Sequence, residues 1–167
     1  MKSVKVGGWA IAAVLALTGC INEPNCGARG DDDGPMCSER LTATLTLSND
    51  FTPQQQELVM AAGRAWGEAT GGRVALSWVT VDGRADVMPS RELPAGLVGG
   101  TSRLGRILLS PDLAPGEHWQ NAQHELGHFF GLGHSQVDGE LMHVGIYPWG
   151  IKPADIERFD RLWAERE

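Results

Sequence analysis

The residues best suited to chemistry lie in one segment, from His124 to His134. It contains three histidines, and a glutamate, Glu125, stands directly after the first of them. If the segment begins as a helix, His124 and His128 project from the same face, because residues four apart are neighbours on a helix surface. That spacing suits two nitrogen ligands on one Zn²⁺ and leaves Glu125 beside them as a candidate general base.

A third ligand is available just beyond the helix. Gly131 allows the chain to turn sharply, because glycine accepts a positive φ without a Cβ clash. His134 would then return to the metal and complete a set of three protein ligands, with the fourth position left for water as in catalytic zinc sites. The pattern HExxHxxGxxH therefore predicts one catalytic zinc held by His124, His128 and His134.

The rest of the predicted helix must hold this site against a core. At about 100° per residue, the two histidines point about 170° away from the centre of an apolar stripe. The stripe consists of Trp119, Ala122, Leu126, Phe129 and Phe130. One face is thus expected to pack on the core while the other faces a cleft. An ordinary amphipathic helix with surface histidines leaves the offsets of Glu125, Gly131 and His134 unexplained.

The residues after the motif point to a family. Ser135 follows the third histidine, and Leu141-Met142 comes after a short link. The whole pattern resembles the metzincin metalloproteases and, among them, the matrixins. In that clan a methionine in a tight turn lies beneath the zinc, and Met142 matches it. The resemblance extends from about Leu41 to the C-terminus and implies a zinc endopeptidase.

The order of elements agrees with that resemblance. Hydrophobic periodicity, caps and turn residues predict strands, helices and their ends along the chain. Strands are predicted over 41–47, 74–81, 85–88, 96–104 and 106–109, and helices over about 52–70, from 115 through the histidine motif, and from 153 onward. Together with the resemblance, this implies an α+β fold. Its features are a twisted, mostly parallel five-stranded sheet with an antiparallel edge strand, about three helices, and a zinc site below the sheet edge.

The glycine-rich segment before the last strand has two interpretations. In matrixins an edge strand pairs with the extended substrate, and the matching residues here are Leu97, Val98, Gly99, Gly100 and Thr101. Such pairing holds a peptide by backbone hydrogen bonds while alternate side chains enter pockets. The alternative is that these glycines simply mark a loop, and the sequence leaves both open.

The N-terminus predicts export. Lys2 and Lys5 precede an apolar run over 9–17, which is the layout of a secretory signal and too short for a stable transmembrane helix. Residues 17–20, Leu-Thr-Gly-Cys, resemble a bacterial lipobox, which would make Cys20 the lipidated first residue of the mature protein. The alternative is conventional cleavage near Gly19 with an incidental cysteine.

This interpretation divides the chain into a lipoprotein signal peptide (1–19), a lipidated N-terminus and tether (20–40), and a catalytic domain (41–167). The protein is expected to be an exported lipoprotein that is anchored in the membrane, at the outer membrane or cell surface rather than the inner membrane. In the tether, Cys26 and Cys37 are a candidate disulfide, since an exported context permits one. A rival interpretation is that Cys26 caps the zinc, because residues 24–27 faintly resemble the matrixin propeptide segment.

Composition narrows the classes of partner. The chain has 14 basic and 21 acidic residues, without the clustered Lys and Arg of a nucleic-acid surface. Three adjacent acids, Asp31 to Asp33, offer oxygen atoms of the kind calcium binds but no defined ligand geometry, so the sequence does not decide whether Ca²⁺ binds. We expect a monomer whose partners are a protein or peptide substrate and, through lipid, a membrane.

The predicted reaction is hydrolysis of peptide bonds in an extended polypeptide. Glu125 would take a proton from water activated by zinc and pass it to the leaving amine. The competing hypothesis is a zinc-containing lipoprotein that binds peptides or cell-wall material without cutting. Glu125 favours the enzyme, because holding zinc needs only the histidines.

The two remaining histidines, His118 and His143, are expected to be exposed.

Overall fold

The computed structural model describes residues 40–94, 96–102, 105–144 and 150–164. The predicted signal peptide and tether lie outside these ranges, and so do Cys20, Cys26 and Cys37. Among the residues described, no helix is both long enough and apolar enough to cross a membrane.

One five-stranded sheet forms the framework. Its strands are β1 (Leu41–Ser48), β2 (Val74–Val81), β3 (Val87–Pro89), β4 (Gly99–Thr101) and β5 (Ile107–Leu109). They lie in the order β2-β1-β3-β5-β4. All neighbouring pairs are parallel except β4 with β5, which is antiparallel. With three helices, this confirms the predicted α+β fold and its antiparallel edge strand.

The first helix, α1 (Pro53–Ala69), connects β1 to β2. Thr52 is its N-cap, and its hydroxyl accepts from the Gln55 backbone N–H while the Gln55 side chain accepts from the Thr52 N–H at 2.9 Å. This is the capping box expected from the sequence. Proline at the first helical position adds no unsatisfied donor. At the other end, Gly71 has φ +63°, a left-handed conformation that ends the helix.

The other two helices are α2 (Pro115–Phe129), which carries the first part of the histidine motif, and α3 (Pro153–Ala164). The N-terminus of α2 has only one of the two hydrogen bonds of a capping box. The Glu117 carboxylate accepts from the backbone N–H of Ala114 at 3.2 Å, but Ala114 has no side-chain oxygen to return the bond. Helix α2 therefore depends on its packing more than α1 does.

Trp66 joins the three helices in the core. Its indole N–H donates to the Gln123 carbonyl of α2 at 2.9 Å. Its ring lies 5.2 Å from the Phe130 ring and 6.3 Å from that of Phe159 in α3, measured between centroids. The stripe predicted for α2 meets this core through buried Ala122, Leu126 and Phe130, and Trp119 and Phe129 pack at its margin.

Two details differ from the sequence-based expectations. Within the described part of the predicted strand over 96–104, the strand runs from Gly99 to Thr101, and the residues before it turn, with the Leu97 N–H donating to the Pro94 carbonyl at 3.0 Å. His118 was expected to be exposed, and that prediction is wrong: it is 1% exposed. Phe51, just before α1, lies edge-on to it at 5.6 Å and covers a helix face that periodicity had assigned to solvent.

Candidate metal centre

The structure brings the three predicted ligands together. His124, His128 and His134 each present one ligand nitrogen, and these nitrogens all lie within 4.8 Å of one another. The Nε2 atoms of His128 and His134 are 3.1 Å apart. The first two histidines stand one turn apart on α2, as the spacing predicted, and the third returns from beyond the helix.

The return depends on the turn at Gly131. This glycine has φ +99°, a conformation that residues with a Cβ rarely adopt. The turn is closed by two backbone bonds, from the Gly131 N–H to the His128 carbonyl at 2.9 Å and from the Leu132 N–H to the Gly127 carbonyl at 3.0 Å. These bonds satisfy the last carbonyls of α2 and send the chain back towards its own histidines.

Hydrogen bonds fix the orientation of two of the rings. Nδ1 of His124 lies 2.7 Å from the Leu141 carbonyl, and Nδ1 of His128 lies 2.8 Å from the Leu132 carbonyl. A carbonyl oxygen only accepts, so each ring carries its proton on Nδ1, and in the neutral ring Nε2 presents a lone pair. This is the usual arrangement of metal-bound histidines, whose second nitrogen donates to a backbone carbonyl.

The electrostatic setting also suits a cation held by neutral imidazoles. Burial, with a smaller contribution from the neighbouring histidines, lowers the pKa of His124 to about 4, although the hydrogen bond to the Leu141 carbonyl opposes the change. Burial is also the main reason that the pKa of His128 lies below its ordinary value. Near neutral pH both rings are therefore unprotonated at the nitrogen that a metal needs. Three convergent imidazoles fit one zinc ion with a fourth position open.

Glu125 lies beside this cluster and is almost fully enclosed, at 3% exposed. Burial raises the pKa of its carboxyl to about 7, although a hydrogen bond from Thr101 opposes that rise. A cation held by the adjacent histidines would lower the pKa again, because an opposite charge favours the ionised form.

Met142, the residue that matches the metzincin methionine turn, packs against α2. It is fully buried, and Gly127 makes room for it, since a Cβ at that position would overlap the Met142 sulfur. The carbonyl of Met142 accepts from the Ser135 N–H at 2.7 Å. The methionine turn is thus tied to the residue that directly follows His134.

Two residues of α3 support the same turn and loop, and sequence reasoning missed both. The buried Asp155 carboxylate accepts from the backbone N–H groups of Leu141 at 3.0 Å and Met142 at 3.3 Å. Arg158 donates from Nη2 to the Gly133 carbonyl at 2.7 Å. In sequence, Asp155 is an ordinary acid in a first helical turn and Arg158 an ordinary helix cation, so neither signals a site.

The predicted substrate strand lies only partly in the sheet. Gly99, Gly100 and Thr101 form β4 at the sheet edge and pair with β5 on one side. Leu97, at 55% exposed, and Val98 precede the strand. Val98 is nevertheless anchored, because its carbonyl accepts from the Asn121 side chain of α2 at 2.7 Å. The strand and loop interpretations each describe part of this segment, and pairing with substrate stays a prediction.

A cavity of about 500 Å³ lies between this segment, the first half of α2 and the third histidine. Its lining includes Leu97, Val98, Leu113, Gln120, His134 and Val144. The cavity thus adjoins the histidine cluster on the side of the edge strand.

His143, predicted at the surface, is half-buried instead, and its Nε2 lies 3.2 Å from the Asp138 carboxylate.

Comparisons with known proteins support the fold. No protein-family model matches the chain, and no curated protein matches it. Among solved structures, the chain is similar to archaemetzincin from Methanopyrus kandleri, with a TM-score of 0.55 and 18% sequence identity over 78% of this chain and 98% of that chain. The chain therefore has a metzincin-like α+β fold in which three histidines are placed to hold one metal ion.

Proposed function

We propose that this protein is a zinc-dependent metallopeptidase with His124, His128 and His134 as the zinc ligands. The observation that carries the proposal is the convergence of three imidazole nitrogens within 4.8 Å, with a buried glutamate next to the first. The structural similarity of the chain to archaemetzincin also supports the proposal. When bound, zinc would supply a Lewis acid that acidifies water and polarises a carbonyl group.

In this proposal Glu125 is the general base. Its Oε2 accepts a hydrogen bond from the Thr101 hydroxyl at 2.8 Å, and a carboxylate oxygen would take a proton from the attacking water. The same oxygen would hand that proton to the departing amine, so one carboxyl serves as base and then as acid. Its buried position keeps bulk water from competing for the proton.

The finer proposal is a matrixin-like endopeptidase acting on protein substrates. Support comes from the free side of β4, which is the last strand of the described sheet and has unpaired backbone groups available for an extended peptide. The adjoining cavity of about 500 Å³ could receive one side chain of that peptide. Met142 and Ser135 add the motif positions that resemble matrixins.

We also propose that the domain works while anchored to a membrane. The lipobox ending at Cys20 supports lipidation, and it implies an outer-membrane or cell-surface location. Cys26 and Cys37 would then form a disulfide in the tether. Cys20→Ser should leave an unlipidated precursor that no longer partitions with membranes, which fractionation with labelled fatty acid would detect.

The decisive test of the enzyme proposal uses Glu125→Gln, which preserves shape but removes the base. At matched zinc occupancy, wild-type protein should cleave a mixed peptide library, and the variant should be slower by about 10²–10⁴-fold. Glu68→Gln on α1 is the matched control, because Glu68 is exposed and belongs to another helix.

Mass spectrometry of the digested library gives both the rates and the cleavage positions. Equal rates for wild type and Glu125→Gln would remove Glu125 from the mechanism. Binding of zinc and peptides without cleavage by wild type would instead support the non-catalytic binding lipoprotein.

A further inference from the structure

The edge strand touches the proposed base directly. The Thr101 hydroxyl of β4 lies 2.8 Å from Oε2 of Glu125 and 3.0 Å from the Glu125 backbone carbonyl. The carboxylate is the stronger acceptor when ionised, since hydrogen bonds to charged groups are shorter and stronger than neutral ones. The hydroxyl hydrogen is therefore best directed at Oε2.

Gly99, two residues before Thr101, allows β4 to lie close to α2. A Cβ at Gly99 would lie 2.5 Å from Nδ2 of Asn121 and 2.9 Å from Oε1 of Glu125, both closer than real Cβ contacts. Because Gly99 has no Cβ, the strand backbone rests directly on these two side chains. Thr101 follows at the strand period of two, so its side chain points to the same face as that missing Cβ.

A second bond holds the strand at this distance. Asn121, one turn before Glu125 on α2, donates from Nδ2 to the Val98 carbonyl at 2.7 Å. The strand is thus fastened to the helix on both sides of Gly99. These two bonds hold the backbone of Thr101 close to the Glu125 side chain.

We propose that Thr101 is the positioning residue for Glu125. The hydroxyl holds Oε2 while the Gly99 backbone packs against Oε1, and together these contacts restrict a side chain that otherwise rotates about three bonds. The inference rests on the proposed function for its catalytic consequence. It adds that the strand expected to bind substrate also sets the orientation of the base.

The kinetic test compares Thr101→Val, which keeps the shape but loses the hydroxyl, with Thr101→Ser, which keeps the hydroxyl but loses the methyl group. The valine variant should lower kcat by about 10- to 100-fold, the range expected for a misplaced catalytic group, with KM little changed. The serine variant should restore most of kcat. Zinc affinity should be the same in all three proteins, because Thr101 is not one of the three ligands and its hydroxyl bonds to Glu125.

A second measurement is independent of activity and of zinc. Thr101→Val should lower the melting temperature of the zinc-free protein at pH 8 by about 3 °C when Glu125 is present. In the Glu125→Ala background, where the hydroxyl keeps only the backbone carbonyl of residue 125 as acceptor, the same substitution should lower it by less, since residues in direct contact are not additive. Equal shifts in both backgrounds would overturn the proposal.

The two measurements separate the possible failures. A serine variant as slow as the valine variant would assign the effect to methyl packing, and a raised KM with unchanged kcat would assign Thr101 to substrate binding. Either result overturns the positioning role. If wild type cleaves no peptide, the proposed function fails, and the melting temperatures alone decide whether Thr101 holds the Glu125 carboxylate.

Discussion

Helices α1 and α2 have similar N-termini but bury different kinds of side chain. Both start with proline at the first position and use a capping side chain three residues after the cap. Helix α1 buries an apolar stripe with one glycine, namely Val59, Ala62, Gly63 and Trp66. Helix α2 buries residues on every side, most of them polar: His118, Gln120, Asn121, Ala122, Gln123, His124, Glu125, Leu126 and Gly127.

The polar burial of α2 has a cost that α1 avoids. Within the described part of the chain, side-chain atoms of His118, Gln120, Asn121 and Gln123 are buried without a hydrogen-bond partner. A buried polar atom that pairs with neither protein nor water costs about 1–3 kcal/mol by mutational measurements. A helix selected for stability alone would carry apolar residues at these positions. The difference teaches that α1 supports the fold, whereas α2 carries a site that the rest of the core must stabilise.

The largest expected effect tests the structural role of α1. Trp66→Ala removes the side chain that links three helices, and it should lower the free energy of unfolding by about 3–5 kcal/mol. Urea unfolding of the zinc-free protein measures this loss. The protein that remains folded should bind zinc with unchanged affinity. A weakened zinc affinity in the folded protein would break the division of roles between the helices.

A smaller effect is expected at Gly127, inside α2. Alanine normally favours a helix over glycine by about 1 kcal/mol. Here its Cβ would overlap the Met142 sulfur and approach Trp66 to 3.3 Å, so Gly127→Ala should destabilise the protein by about 1–3 kcal/mol. Gly133→Ala is the control, since nothing lies within 4 Å of the added Cβ. A stabilised Gly127→Ala variant would show that Met142 does not pack against this helix.

The smallest effect concerns support from outside both helices. Arg158→Lys should weaken zinc affinity by about tenfold, the lower end of the range for residues that orient metal ligands. The reason is that Arg158 reaches the Gly133 carbonyl with Nη2 at 2.7 Å and the Glu140 carboxylate with Nη1 at 3.4 Å, whereas lysine has a single nitrogen and lacks this two-pronged geometry. Arg161→Lys on the exposed side of α3 is the control. Identical affinities in a zinc-chelator competition would remove Arg158 from the support of the His134 loop.

The parts of the site predicted from sequence were those set by local geometry. The offsets of His124 and His128, the turn at Gly131 and the apolar stripe of α2 follow from helix geometry and glycine conformation. The contacts of Asp155, Arg158 and Thr101 could not be predicted, because they join elements far apart in sequence. His118 was misassigned for the same reason: periodicity does not reveal that Phe51 covers it. The predictions for Cys20, Cys26 and Cys37 concern residues outside the described ranges.

The central claim is that three histidines hold one zinc, and His134 is its most exposed member. Elemental analysis after dialysis against a zinc buffer should find one zinc per chain in wild type and in His143→Ala, a control with a neighbouring histidine outside the cluster. His134→Ala should lose zinc affinity by at least about 100-fold, more than the loss of a supporting residue costs, while the zinc-free protein stays folded. Full zinc occupancy of His134→Ala at the same free zinc concentration would contradict the proposed ligand set.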